Sequence, residues 1–231
     1  MSFNSLRNTL IASFALSVVA FAQPNATVDT PYQIRYVANL NLGDSVINIT
    51  NSGARGAGLA AGTSPSTTGA ICVNVYAFSP DEQMISCCSC AVTPNGLVHL
   101  SARRDLVNNT LTPSVPTSIV VKLVASVPLL GTSCSGSAAN WGPDRLPSGM
   151  LAWGTTVHAG ATPGSDAVVT ETQFLPAMLS GGGIPPIPPG PVDGIGEARR
   201  LQDLCTFINA NGSGFGICSS CRLGGLGGGR L

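Results

Sequence analysis

The residues of this 231-residue chain best able to do chemistry are its eight cysteines: Cys72, Cys87, Cys88, Cys90, Cys134, Cys205, Cys218 and Cys221. Three crowd into Cys87-Cys88-Ser89-Cys90, and the last two frame Cys218-Ser219-Ser220-Cys221. Such sulfurs can close disulfides, ligate a metal or iron–sulfur cluster as thiolates, or exchange electrons as a C-x-x-C pair. An even number in a chain that opens on an export signal points to disulfides. No histidine or carboxylate lies beside either cysteine group, which weakens a metal centre, and no βαβ pattern surrounds Cys218/Cys221 to make a redox domain. A Cys-based metal or redox protein is therefore the weaker reading. Eight cysteines allow about a hundred pairings. The expected one ties Cys205, Cys218 and Cys221 to the Cys87/Cys88/Cys90 segment, closing long loops worth ~3–5 kcal/mol each in the chain-entropy model.

Other chemistry is sparse. His99 and His158 are the only imidazoles, and each falls in a strand-like run where an ordinary sheet histidine is the simpler reading. No G-x-S-x-G, H-E-x-x-H, P-loop or G-x-G-x-x-G occurs. Asp81-Glu82, after Ser79-Pro80, reads as a solvated turn rather than a general acid/base pair. The sequence thus implies no catalytic residue, no cofactor and no metal, hence a protein that is not an enzyme. Sequons stand at Asn25, Asn48, Asn108 and Asn211.

Charged residues make up 10% of the chain, the formal net charge is +0, and Lys122 is the only lysine. Nothing here attracts nucleic acid or an acidic membrane. Ordinary soluble domains carry about 25% charged residues. With a mean hydropathy of +0.31, this chain is expected to have part of its surface covered, most simply by copies of itself.

The elements that must position the cysteines follow from patterning. Residues 1–22 read as a signal peptide, with Arg7 ahead of an apolar run and Ala20-Phe21-Ala22 at the cleavage point. The apolar run is shorter than the ~20 residues of a bilayer helix, so no membrane span is expected in the mature chain. Within 23–69, Tyr32, Ile34, Tyr36, Ala38 and Leu40 alternate with polar residues over Tyr32–Leu42, a half-buried strand. Ser45–Thr50 is a second strand, and Gly53–Gly69 reads as a flexible linker. The body, 70–180, has strand signals at Ile71–Phe78, Met84–Val92, Leu97–Ser101, Ser118–Val127, Met150–His158 and Ala167–Phe174. Pro94-Asn95-Gly96 predicts a hairpin between the second and third of these. A Gly/Pro tract at 181–196 precedes 197–231, where Leu201, Leu204, Cys205 and Ile208 mark an amphipathic helix over Glu197–Asn209.

The run Ile71-Cys72-Val73-Asn74-Val75-Tyr76-Ala77-Phe78-Ser79-Pro80-Asp81-Glu82-Gln83, with Cys87-Cys88-Ser89-Cys90 and Thr93-Pro94-Asn95-Gly96, resembles a group of uncharacterised exported bacterial Cys-rich proteins. The likeness runs from Gly43-Asp44-Ser45-Val46-Ile47-Asn48 to the Cys218/Cys221 end and implies no activity. In architecture the chain is similar to strand-donating pilins, by analogy and without a shared motif. The expected fold is mainly β, an immunoglobulin-like sandwich with a short disulfide-tethered C-terminal helix. The expected role is a secreted, pilus-like filament or surface subunit. Its Tyr32, Ile34, Tyr36, Ala38 and Leu40 would enter a groove of the next copy. A monomeric binding or adhesion module is the alternative.

Overall fold

The computed structural model describes residues 30–54, 69–108, 115–128, 134, 146–160, 165–177, 196–211, 218 and 221. Residues 1–22, expected as a signal peptide, most of the linker after Gly53, the 181–196 tract up to its last residue, Gly196, and Trp141 lie outside them. Nine strands are described: β1 (Tyr32–Val37), β2 (Val46–Asn51), β3 (Ile71–Phe78), β4 (Met84–Val92), β5 (Leu97–Ser101), β6 (Ile119–Ser126), β7 (Met150–His158), β8 (Val168–Gln173) and β9 (Leu175–Pro176). One helix, α1 (Gly196–Ala210), follows.

Period-2 side chains and short turns build two antiparallel sheets packed as a sandwich. Sheet 1 has the order β4-β3-β6-β1-β9, and sheet 2 the order β5-β2-β7-β8. Ile47 and Ile49 of β2, Val73 and Val75 of β3, Val121 and Leu123 of β6, and Met150 and Ala152 of β7 meet in the core between them. The mainly β sandwich with a C-terminal helix expected from patterning is present, and most strand limits fall where the alternation put them.

Four departures have physical causes. The first strand stops at Val37, because Asn39 takes a left-handed φ of 59° and its carbonyl accepts from Leu42 N–H, turning the chain. The Thr93–Gly96 turn forms, but β4 pairs with β3 and β5 with β2. Pro94-Asn95-Gly96 therefore switches the chain between sheets instead of closing a hairpin. Ala102–Val107 forms one π-helical turn capped by Ser101, which no periodicity announced. Finally, β1 and β2 are strands of the same sandwich as the 70–180 body, β2 between β5 and β7 and β1 between β6 and β9.

The fourth departure reverses a face. Gln33, Arg35 and Val37 of β1 point between the sheets, whereas Tyr32 packs outward with Tyr76, Phe78 and Val124. That outer face is apolar because α1 lies on it through Leu201, Cys205 and Ile208. Sheet 1 is thus buried on both sides, and β3 and β4 accordingly read as near-continuous hydrophobic runs.

Candidate functional site

The cysteine cluster is built on β4. Adjacent residues of a strand point to opposite faces, so Cys87 faces outward and Cys88 and Cys90 inward. Cys87 joins Cys205 of α1, Cys88 joins Cys218, Cys90 joins Cys221, and Cys72 of β3 joins Cys134. The C-terminal segment therefore grips β4 from both faces, and no described cysteine is free. These four bonds point to an oxidising environment. The sulfurs of Cys90, Cys218 and Cys221 lie within 4.8 Å of one another, yet all three are bonded in disulfides. They do not offer the thiolates a metal would need.

Polar contacts reinforce the grip. Lys122 Nζ donates to Glu197 Oε1 at 2.6 Å and sits 5.0 Å from the Phe78 ring centroid, fastening the first turn of α1 to β6. Burial pushes the Glu197 carboxyl up, but the hydrogen bonds and charges of Lys122 and Arg200 outweigh it and hold the group below its ordinary value. Under the same helix, burial and the nearby Glu197 charge raise the Tyr32 phenol to about 12, with Arg200 opposing.

At the other side of the sandwich, Arg35 enters the interior at 8% exposure. Its Nη1 donates to the Thr172 carbonyl at 2.8 Å and to the Thr172 hydroxyl, and Nη2 donates to Thr156 Oγ1 at 3.0 Å. Phe174 lies 5.9 Å below the guanidinium. Burial lowers the Arg35 pKa, and Glu171 opposes that. Gly154 makes the room: a Cβ there would stand 2.5 Å from Arg35 Nε. Gln33 Nε2 donates to the Met150 carbonyl at 2.7 Å. These contacts latch β1 across to β7 and β8.

The latched side ends in an edge of different character. β8 pairs with β7 from Val168↔His158 to Gln173↔Trp153. Among the described residues nothing pairs with its other side. Phe174 N–H reaches the Ala152 carbonyl. The alternation of an antiparallel ladder then turns the N–H and C=O of Val169, Glu171 and Gln173 outward. Val168 is 54% and Val169 59% exposed.

The five residues expected to enter a neighbour are divided by this arrangement. Tyr32 and Leu40 are buried in their own chain, Ile34 and Ala38 are half-buried, and Tyr36 is exposed. The linker after Gly53 lies beyond β2, so it gives β1 no slack. Residues 38–45 alone connect β1 to β2, and Leu40, Asn39 and Ser45 are fixed within them by burial and by bonds to Val157 and Thr155. In the single chain β1 is a strand of its own sheet. Alternation in sequence could not tell an outward face beneath α1 from one destined for another copy.

The remaining candidates lie apart. His99 is exposed on β5, and His158 Nε2 is 2.8 Å from Thr170 Oγ1 at the end of β7. Asp81 stands in an exposed turn, where the Ser79 hydroxyl holds its carboxyl below the ordinary value. His158 meets only the Thr170 hydroxyl, and among the described contacts no carboxylate stands beside either histidine to orient it as a base. Of the sequons, that at Asn48 lies wholly among the described residues, on β2, and those at Asn108 and Asn211 lie partly among them, after the π-helical turn and after α1.

No family model matches this chain, and no curated protein matches it. A solved structure that resembles it is the crystal structure of Thermotoga maritima 1070, 9% identical over 63% of this chain and 91% of that one, with a TM-score of 0.35. That level of likeness carries no inference about function.

Proposed function

We propose that this protein is a non-enzymatic structural subunit, exported to an oxidising space, that assembles with copies of itself into an extracellular filament or surface layer by strand addition at β8. The supporting observation is the state of that edge: six residues long, exposed on both faces, with three outward pairs of backbone groups and a single charge, Glu171. Folded proteins usually blunt such an edge with lysine, proline, a bulge or a covering loop. The scarcity of charge over the whole chain supports the same reading.

The donor role expected for β1 passes to an edge. Sheet 2 has two of them, β5 and β8. Pairing β8 of one copy with β5 of the next is head-to-tail contact, which propagates instead of closing. The added strand gains backbone hydrogen bonds along the edge and covers Val168 or Val169. No helix among the described residues is long and apolar enough to cross a membrane.

Val169→Pro tests the reading. It removes one outward N–H and leaves the β7 ladder intact, since proline is tolerated at the solvent side of an edge. Wild-type protein should form large species by sedimentation and filaments or sheets by electron microscopy, and the variant should remain monomeric with an unchanged β spectrum. A wild type that stays a monodisperse monomer at high concentration, or a variant that assembles equally well, rejects strand addition at β8.

A further inference from the structure

We propose that the outer face of sheet 2 binds a neutral saccharide, with Trp153 as the stacking platform. The two outer faces of the sandwich differ: α1 covers that of sheet 1, and no described element covers that of sheet 2. Register fixes what the second face displays. His99 lies opposite Asn48, Asn48 opposite Trp153, and Trp153 opposite Gln173, so four strands contribute one continuous row. The row faces outward because its neighbours along each strand, Ile47, Ile49, Val98 and Ala152, are core residues. His99 is exposed, and Asn48, Trp153 and Gln173 are half-exposed.

The chemistry of the row selects the occupant. An indole flanked by carboxamides offers an apolar plane bordered by groups that both donate and accept. A pyranose has the matching surface: a C–H face to lie on the ring and hydroxyls at its rim that need donors and acceptors. Asn48 Nδ2 donates to Glu171 Oε1 at 2.9 Å, which sets the amide and leaves Asn48 Oδ1 to accept from a ligand hydroxyl. No lysine or arginine stands in the row or in the flanking rows through Thr50 and Val46. The absence of cations and the single carboxylate, Glu171, disfavour phosphates, sulfates and acidic sugars and suit an uncharged chain. The row crosses four strands, a length that suits an oligosaccharide better than a single sugar.

Affinity electrophoresis of the full mature chain in gels containing hydroxyethyl cellulose, xylan or laminarin tests this. At least one polymer should retard the wild type, and added salt at ~0.5 M should leave the retardation in place. Trp153→Ala should weaken it about tenfold, Trp153→Phe should keep part of it, and Asn48→Ala or Gln173→Ala should each weaken it several-fold. If Trp153→Ala does not fold, the two polar variants and Trp153→Phe decide. Val169→Pro should bind like the wild type, which separates failure of this proposal from failure of assembly at β8. No retardation in any of the three gels overturns the proposal. So does equal retardation of folded Trp153→Ala, or of both polar variants, or retardation that is lost in salt.

Discussion

β4 and β8 each end a sheet, and the chain treats them in opposite ways. β4 carries three disulfides, two pointing inward and one outward, and lies beneath α1 on one face. β8 carries one carboxylate, no described cover and two exposed valines. Edge strands invite pairing with other chains, so the contrast assigns them different tasks. The β4 edge is closed by covalent means and holds the fold together. The β8 edge contributes little to the core, since five of its six residues are exposed, and no described residue pairs with its outer side.

The largest effect should come from removing all three β4 bonds through Cys205→Ser, Cys218→Ser and Cys221→Ser with their partners. In the chain-entropy model the loss is of order 10 kcal/mol, as large as the net stability of an ordinary domain. Expression should then give protein without cooperative unfolding, by denaturant titration. A stable, cooperative triple-bond variant would show that packing alone secures β4. Removing only Cys87–Cys205 should cost less, ~3 kcal/mol, because Cys88–Cys218 still closes the chain to a loop of about 14 residues. The helix signal in far-ultraviolet dichroism should fall first in that variant.

On the β8 side, Gly154→Ala should cost ~1–3 kcal/mol by driving a methyl group into the Arg35 guanidinium. Thermal unfolding checks it, and an unchanged midpoint would mean that Arg35 moves freely. A pH titration probes the covered face. Tyr32 has a folded-state pKa raised above its ordinary value of 10.0 to about 12. The folded state therefore holds that proton more tightly, and its contribution is intact below the lower value and lost as pH rises toward the upper one. Glu197 acts in the other direction: its lowered value gives stability above the ordinary carboxylate range that disappears as pH falls through it. Tyr32→Phe should flatten the alkaline limb of a stability–pH curve. The smallest change in stability, within ~0.5 kcal/mol, belongs to Val168→Lys with Val169→Lys, a surface substitution. It should nevertheless abolish assembly, and that pairing of small and large outcomes is the sharpest test of the contrast.

The two edges were not equally legible in the sequence. Cys87-Cys88-Ser89-Cys90 inside a strand-like run, with three cysteines beyond a Gly/Pro tract, pointed to the β4 clamp, and alternation explains how neighbouring cysteines bond on opposite faces. The β8 strand itself was visible in Val168–Gln173, but its place at the end of a sheet was not, because edge position depends on which distant strand supplies the ladder. The face of β1 misled for a related reason. Tyr32 and Ile34 look like a core face and Gln33 and Arg35 like a solvent face. The glycine that admits Arg35 lies in β7, more than a hundred residues away. The His99–Asn48–Trp153–Gln173 row was hidden too, since it exists only once four strands are in register.

The pairing on β4 sets a schedule for biogenesis. On the proposed export route, Cys72, Cys87, Cys88 and Cys90 leave the channel well before their partners, whose separations reach 118, 130 and 131 residues on β4. An oxidant that joins cysteines in order of appearance would trap Cys72, Cys87, Cys88 and Cys90 with one another. Recovery of the native set then depends on thiolate attack and reshuffling, a process of seconds to hours without a catalyst. The yield of this protein should accordingly track the disulfide isomerase capacity of its host more closely than the rate at which the host oxidises thiols.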